Sequence, residues 1–152
     1  MKTIWGVLGA IAAFEYLTAG FELLFGNRKN KVSETDRFIT AGNVDEFKPN
    51  SVVPFRNGKF YLVRFSDGGF VAMSSKCVHL GCAVQWNETE NEFICPCHSS
   101  VFKKNGDVVS PPAARALDLL PVIIENGTVK VNAEKPLRRK SFSESQKVYA
   151  ES

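Results

Sequence analysis

Two runs of the chain, CVHLGC at residues 77–82 and CPCHSS at 95–100, contain Cys77, His79, Cys82, Cys95, Cys97 and His98, which are all the cysteines and histidines in its 152 residues. Thiolate sulfur and neutral imidazole nitrogen are the ligands that hold zinc, copper and iron-sulfur centres. Packing alone gives no reason to confine all six to one stretch of sequence. One residue separates Cys77 from His79, and two separate Cys95 from His98. A four-ligand zinc site commonly pairs cysteine with cysteine and histidine with histidine across short spacers. Here each run leads with one cysteine and one histidine. That suits a cluster of two irons and two sulfides, with cysteines on one iron, histidines on the other, and one ligand for each iron from each run. Zinc draws on the same ligand types and stands as the competing reading.

The two runs need a scaffold that brings them face to face, and the surrounding sequence has the grammar of an all-β domain. FYLVRF (60–65) and FVAMSS (70–75) flank a turn containing DGG, and AVQW (83–86) and EFIC (92–95) flank NETEN. PVIIE (121–125) and TVKV (128–131) flank Asn126-Gly127, the strongest short hairpin signal. Short strands separated by turn residues predict an antiparallel β-sandwich or small barrel. CVHLGC follows one predicted strand and CPCHSS begins at the end of another. Two loops at one end of a β-domain can meet across a metal centre.

The full pattern, C-x-H-x15-C-x2-H at Cys77, His79, Cys95 and His98, resembles the Rieske iron-sulfur motif, and the strand order from about residue 38 to 133 is similar to the Rieske domain. The resemblance implies a [2Fe-2S] cluster held by Cys77 and Cys95 on the inner iron and His79 and His98 on the outer one. Within that family the quinol-oxidising members of cytochrome bc and bf complexes have one extra cysteine in each loop. Cys82 and Cys97 stand at those positions, which implies a disulfide bracing the loops in an oxidising compartment. SPPAARAL (110–117) resembles the proline-rich loop that covers the cluster in this group. By the same resemblance His98 is the quinol contact, Ser100 donates a hydrogen bond to the cluster, and the electron passes to a cytochrome c type acceptor. The implied partners are a cytochrome b type membrane subunit, that acceptor, quinol and membrane lipid, in a dimeric multi-subunit complex. The chain would then be an oxidoreductase subunit, of quinol:cytochrome c reductase type, active only within the complex. The alternative is a relay subunit of another respiratory oxidoreductase, such as a molybdenum-containing one, that never meets quinol.

Two departures from the family pattern bear on the chemistry. Ser99 replaces the common glycine after the second-loop histidine, which predicts a less tolerant backbone if that position needs a positive φ. Phe102 stands where high-potential members have a tyrosine donating to a cysteine sulfur. The missing donor predicts a lower potential and a lower-potential quinol such as menaquinol.

Outside this domain, residues 4–25 form a mostly apolar run in which only Glu15 and Glu22 are charged, and at about 1.5 Å per residue they match a bilayer core of roughly 30 Å. Residues 1–26 therefore read as a transmembrane anchor rather than a cleaved signal peptide, whose apolar run is shorter. Ala12, Glu15, Ala19 and Glu22 fall on one helical face, which is what a helix presents to neighbouring helices. Residues 27–37 read as a tether, 38–135 as the β-domain, and 136–152 as a polar tail that is flexible or docked on a partner. Arg28, Lys29 and Lys31 after the apolar run favour a cytoplasmic domain by charge. The disulfide reading favours the extracytoplasmic side and is preferred, because long domains weaken the charge rule. A net charge of +3 without a basic stripe interleaved with aromatics gives no case for nucleic-acid binding. Four cysteines are too few for a disulfide-dense secreted scaffold.

Overall fold

A computed structural model describes residues 13–18, 20, 21 and 38–150. The first group is helical, with Phe14, Tyr16, Leu17 and Phe21 exposed. Most of the expected anchor, including Ala12, Ala19 and Glu22, and the whole expected tether lie outside the described residues. Among the described residues no helix is long and apolar enough to cross a membrane.

The β-domain is built from eleven strands in three antiparallel sheets. The central sheet has the order β2 (Ser51–Phe55), β3 (Phe60–Arg64), β4 (Phe70–Ser74) and β9 (Leu119–Leu120). Beside it lie a three-stranded sheet, β1 (Phe38–Asn43), β11 (Thr128–Asn132) and β10 (Val122–Glu125), and a second four-stranded sheet. That second sheet runs β5 (Gln85–Asn87), β6 (Glu92–Ile94), β7 (Val101–Lys103) and β8 (Val108–Ser110).

Alternation along the central strands feeds two separate cores. Phe60, Leu62, Phe70, Ala72 and Leu120 pack with Phe47, Val129 and Val131 on one side. Val63, Val71 and Met73 pack on the other with Cys77, Val84, Phe93, Cys95, Phe102 and Ala113. Because both faces are covered, β3 and β4 read as almost continuous apolar runs. The second core is the floor of the two motif loops.

All three expected hairpins form. Val122 pairs with Val131 through Glu125 with Thr128, and Asn126 and Gly127 both take positive φ, 50° and 72°, as a tight two-residue hairpin turn requires. β2 carries Pro54 at the edge of its sheet, where the missing N–H costs no ladder bond.

The tail differs from expectation: it packs on its own domain. Leu137 and Leu119 exchange backbone bonds of 2.7 and 3.0 Å, and Val148 and Phe70 exchange bonds of 2.8 and 2.9 Å. The Phe142 amide donates to Asp107 Oδ1 at 2.6 Å. Lys147 Nζ reaches Asp67 at 2.7 Å and Glu144 at 2.6 Å, and lies 4.6 Å from the centre of the Phe65 ring. These pairs hold the Asp67 carboxyl down at about 2 from an ordinary 3.8, first through Lys147 and then through the Gly69 amide. The polar composition that suggested a loose tail instead supplies its ties: backbone groups and charges with partners on the sheet.

Candidate iron-sulfur site

The loop after β4 closes on itself. The Cys77 amide donates to Cys82 O at 2.7 Å, the Gly81 amide to Cys77 O at 2.8 Å, and Val84 N to Ser75 O at 2.8 Å. The loop after β6 closes similarly, with Cys95 N to Ser100 O at 2.9 Å and Ser99 N to Cys95 O at 3.0 Å. Tyr61 from β3 supports the first loop, its hydroxyl donating to Val84 O at 3.0 Å. Trp86 and Tyr61 both pack on Phe93, with ring centres 4.7 and 4.9 Å apart.

Cys77 and Cys95 are free and buried, 3% and 2% exposed, whereas His79 and His98 are exposed. The two imidazole rings lie 5.0 Å apart at an interplanar angle of 89°. Each loop thus offers one inner sulfur and one outer imidazole. Burial pushes the Cys77 thiol up, and the neighbouring Cys95 thiol adds to the rise; hydrogen bonds from the His79 amide and the Ser100 hydroxyl pull it down. Donors already aimed at Cys77 sulfur would serve a metal-bound thiolate.

Cys82 and Cys97 form a disulfide across the loops, with Cα atoms 6.5 Å apart. The sulfurs of Cys82, Cys95 and Cys97 lie within 4.8 Å of one another. Two of the three are bonded to each other, so of this trio Cys95 alone keeps a sulfur for metal. The remaining donors, two buried thiols and two exposed imidazoles, fit an asymmetric [2Fe-2S] cluster with its histidine iron outward.

Ser100 is fully buried, and its Oγ accepts a 3.1 Å bond from the Ala113 amide. Its hydroxyl is therefore directed by the proline loop. Ala113 packs in the same core as Cys77 and Cys95, so the 110–117 segment lies against the buried side of the site. Ser99 adopts φ 57°, the left-handed region in which glycine is at ease. Phe102 is fully buried opposite Phe93 and brings no hydroxyl. Two contributors lay beyond sequence reasoning. Nothing in the sequence distinguishes the Ala113 amide from other backbone groups. Tyr61 was visible only as one more aromatic in a strand.

A family model described as the Rieske [2Fe-2S] domain matches residues 37–126. The cytochrome b6-f complex iron-sulfur subunit of Synechococcus sp. (strain JA-3-3Ab) is 43% identical over 67 residues, which cover 42% of this chain and 39% of that protein. The subunit of the same name from Chlorobaculum thiosulfatiphilum is 29% identical over 134 residues, covering 87% of this chain and 72% of that one. The chain thus spans well under half the length of several curated relatives it matches, 39% and 30% in two cases. Among solved structures, the cyanobacterial plasma membrane Rieske protein from Synechocystis PCC 6803 aligns with a TM-score of 0.50 and 26% identity, over 61% of this chain and 97% of that one. A chain of a hyperthermophilic respiratory Complex III aligns with a TM-score of 0.52 and 22% identity, over 85% of this chain and 98% of that one, a likeness of fold.

Proposed function

Because the chain belongs to the Rieske [2Fe-2S] domain family, we propose that it is the iron-sulfur subunit of a quinol-oxidising cytochrome bc type complex, taking an electron from quinol and passing it to a cytochrome c type acceptor. The observation that carries this reading is the pairing of buried free Cys77 and Cys95 with exposed His79 and His98, braced by the Cys82–Cys97 disulfide. The brace is what the oxygenase-type ferredoxins of the family generally lack. In this reading Cys77, His79, Cys95 and His98 are the ligands. When bound, the cluster supplies a one-electron centre whose potential is raised by two neutral imidazoles, within about −150 to +300 mV for such centres.

The protein's own groups do the rest. His98 projects into solvent beside His79, so its ring would be accessible to a quinol hydroxyl. Leu80, 70% exposed beside His79, provides an apolar surface for a quinone ring. The buried Ser100 hydroxyl would donate to the cluster, while Phe102 leaves a second donor missing. That points to a low-potential quinol such as menaquinol. Residues 1–26 would anchor the subunit in the cytoplasmic membrane as a single span, 27–37 would act as hinge, and the β-domain would face the extracytoplasmic side. The complex would be dimeric, with a cytochrome b type subunit holding the anchor.

The test is to solubilise the membrane gently, reduce the purified chain with dithionite and record its electron paramagnetic resonance. A mixed cysteine/histidine [2Fe-2S] signal with a co-purifying b-type cytochrome is the expected result. A colourless protein rejects the cluster. A molybdenum subunit in place of the cytochrome rejects quinol oxidation. Phe102→Tyr is expected to raise the potential, and no rise removes the basis for menaquinol.

A further inference from the structure

We propose that residues 136–150 form a strap that fixes the proline loop over the ligand site, with Arg139 as its positioning residue. This rests on the ligand assignment above, but it concerns a segment beyond the 37–126 stretch that the family model matches.

Arg139 is 9% exposed, and its guanidinium reaches four separate elements. Nε donates to Leu117 O at 2.8 Å, Nη2 to Asn105 O at 2.6 Å and to Met73 Sδ at 3.1 Å, and Nη1 to Gln146 Oε1 at 2.5 Å. Gly106 makes room for it: a Cβ there would lie 2.5 Å from Arg139 Nη2. A buried cation held by carbonyl oxygens rather than a paired carboxylate is costly to desolvate. What a guanidinium adds is several donors in one fixed plane, joining chain segments that share no strand.

One of those segments is the far end of the proline loop. Its Leu117 carbonyl takes the Arg139 bond, and its Ala116 amide donates to Lys140 O at 3.1 Å. The near end carries Ala113, whose amide donates to the Ser100 hydroxyl, and the Ser100 carbonyl accepts from the Cys95 amide at 2.9 Å. A continuous route of bonds therefore runs from the strap through the proline loop to the second motif loop. A hydroxyl held in place there can donate to a cluster between the loops, which favours the reduced, more negative state and raises its potential. Loosening the strap should free that hydroxyl and lower the potential.

The experiment uses the full chain in detergent, comparing wild type with Arg139→Ala, Arg139→Lys, Ser100→Ala, the Arg139→Ala/Ser100→Ala double variant and Lys147→Ala. Midpoint potential and amide hydrogen exchange at residues 113–117 are read for each. Arg139→Ala is expected to speed exchange at Ala113 at least about tenfold, as the loss of one anchoring bond allows, and to lower the potential. The double variant should sit no lower than Ser100→Ala alone, since both act through one bond. Lys147→Ala frees only the distant end, so it should lower the melting temperature and leave the potential in place. Wild-type exchange and potential in Arg139→Ala overturn the strap, as do additive shifts in the double variant. If Arg139→Ala fails to accumulate, Arg139→Lys decides by the same two readouts. A wild-type chain without the mixed-ligand signal counts against the ligand assignment, and exchange at Ala113 then still decides the strap.

Discussion

The two ligand loops, 77–82 and 95–100, are close copies in backbone and differ in what secures them. In each, the leading cysteine amide donates five residues ahead and its carbonyl accepts from the residue four ahead. That fourth residue has positive φ in both: Gly81 at 83° and Ser99 at 57°. The first loop meets the geometric demand with glycine. The second meets it with a strained serine, yet it has the extra anchor of buried Ser100 tied to Ala113. Strain of about 1 to 2 kcal/mol for a left-handed non-glycine residue sits in the loop that the proline loop ties down.

Four substitutions break or sharpen that comparison. Phe60→Ala, on the central-sheet face away from the loops, should cost about 3 to 5 kcal/mol by calorimetry while leaving the spectrum of the folded fraction unchanged. A spectral change would mean that the two cores are not separate. Cys82→Ala with Cys97→Ala opens a link of sequence separation 15 and should cost about 3 kcal/mol. Its damage should concentrate in hydrogen exchange at 77–100, and a uniform loss across all three sheets would count against a local brace. Gly81→Ser makes the first loop imitate the second. An added Cβ meets nothing within 4 Å there, so only backbone strain of about 1 to 2 kcal/mol should appear. The reverse change, Ser99→Gly, should gain less than about 1 kcal/mol, because the unfolded chain also gains entropy of about 0.4 to 1 kcal/mol. Should Ser99→Gly destabilise the protein, the serine side chain has a role of its own.

What could be read in advance follows physical lines. The clustering of the candidate ligands was legible because chemistry confines Cys and His to a spacing, and three hairpins because turn residues bracket apolar runs. The strands β7 and β8 are as short as β5 and β6, three residues each, and β9 has two; β5 and β6 were legible through the polar run between them, not through any period. In β2, Pro54 argues against a strand until the edge position is known. The demand at Ser99 was visible from the motif, whereas its link through Ser100 to the Ala113 amide was not. The docking of the tail is not legible in sequence because many of its ties, among them Arg139 to the Leu117 and Asn105 carbonyls and the Val148–Phe70 pair, use backbone groups that leave no mark there.

The bond pair between Val148 and Phe70 has a further consequence, for solubility. β9 covers β4 only at Ala72 and Met73, so at Phe70 the strand would otherwise present bare N–H and C=O groups along its rim. Such a rim is a template on which a second copy of the chain can add a strand. Val148 occupies it with both bonds. A chain ending before Val148 would expose that adhesive rim on every molecule, and its first symptom would be aggregation rather than damage at the motif loops.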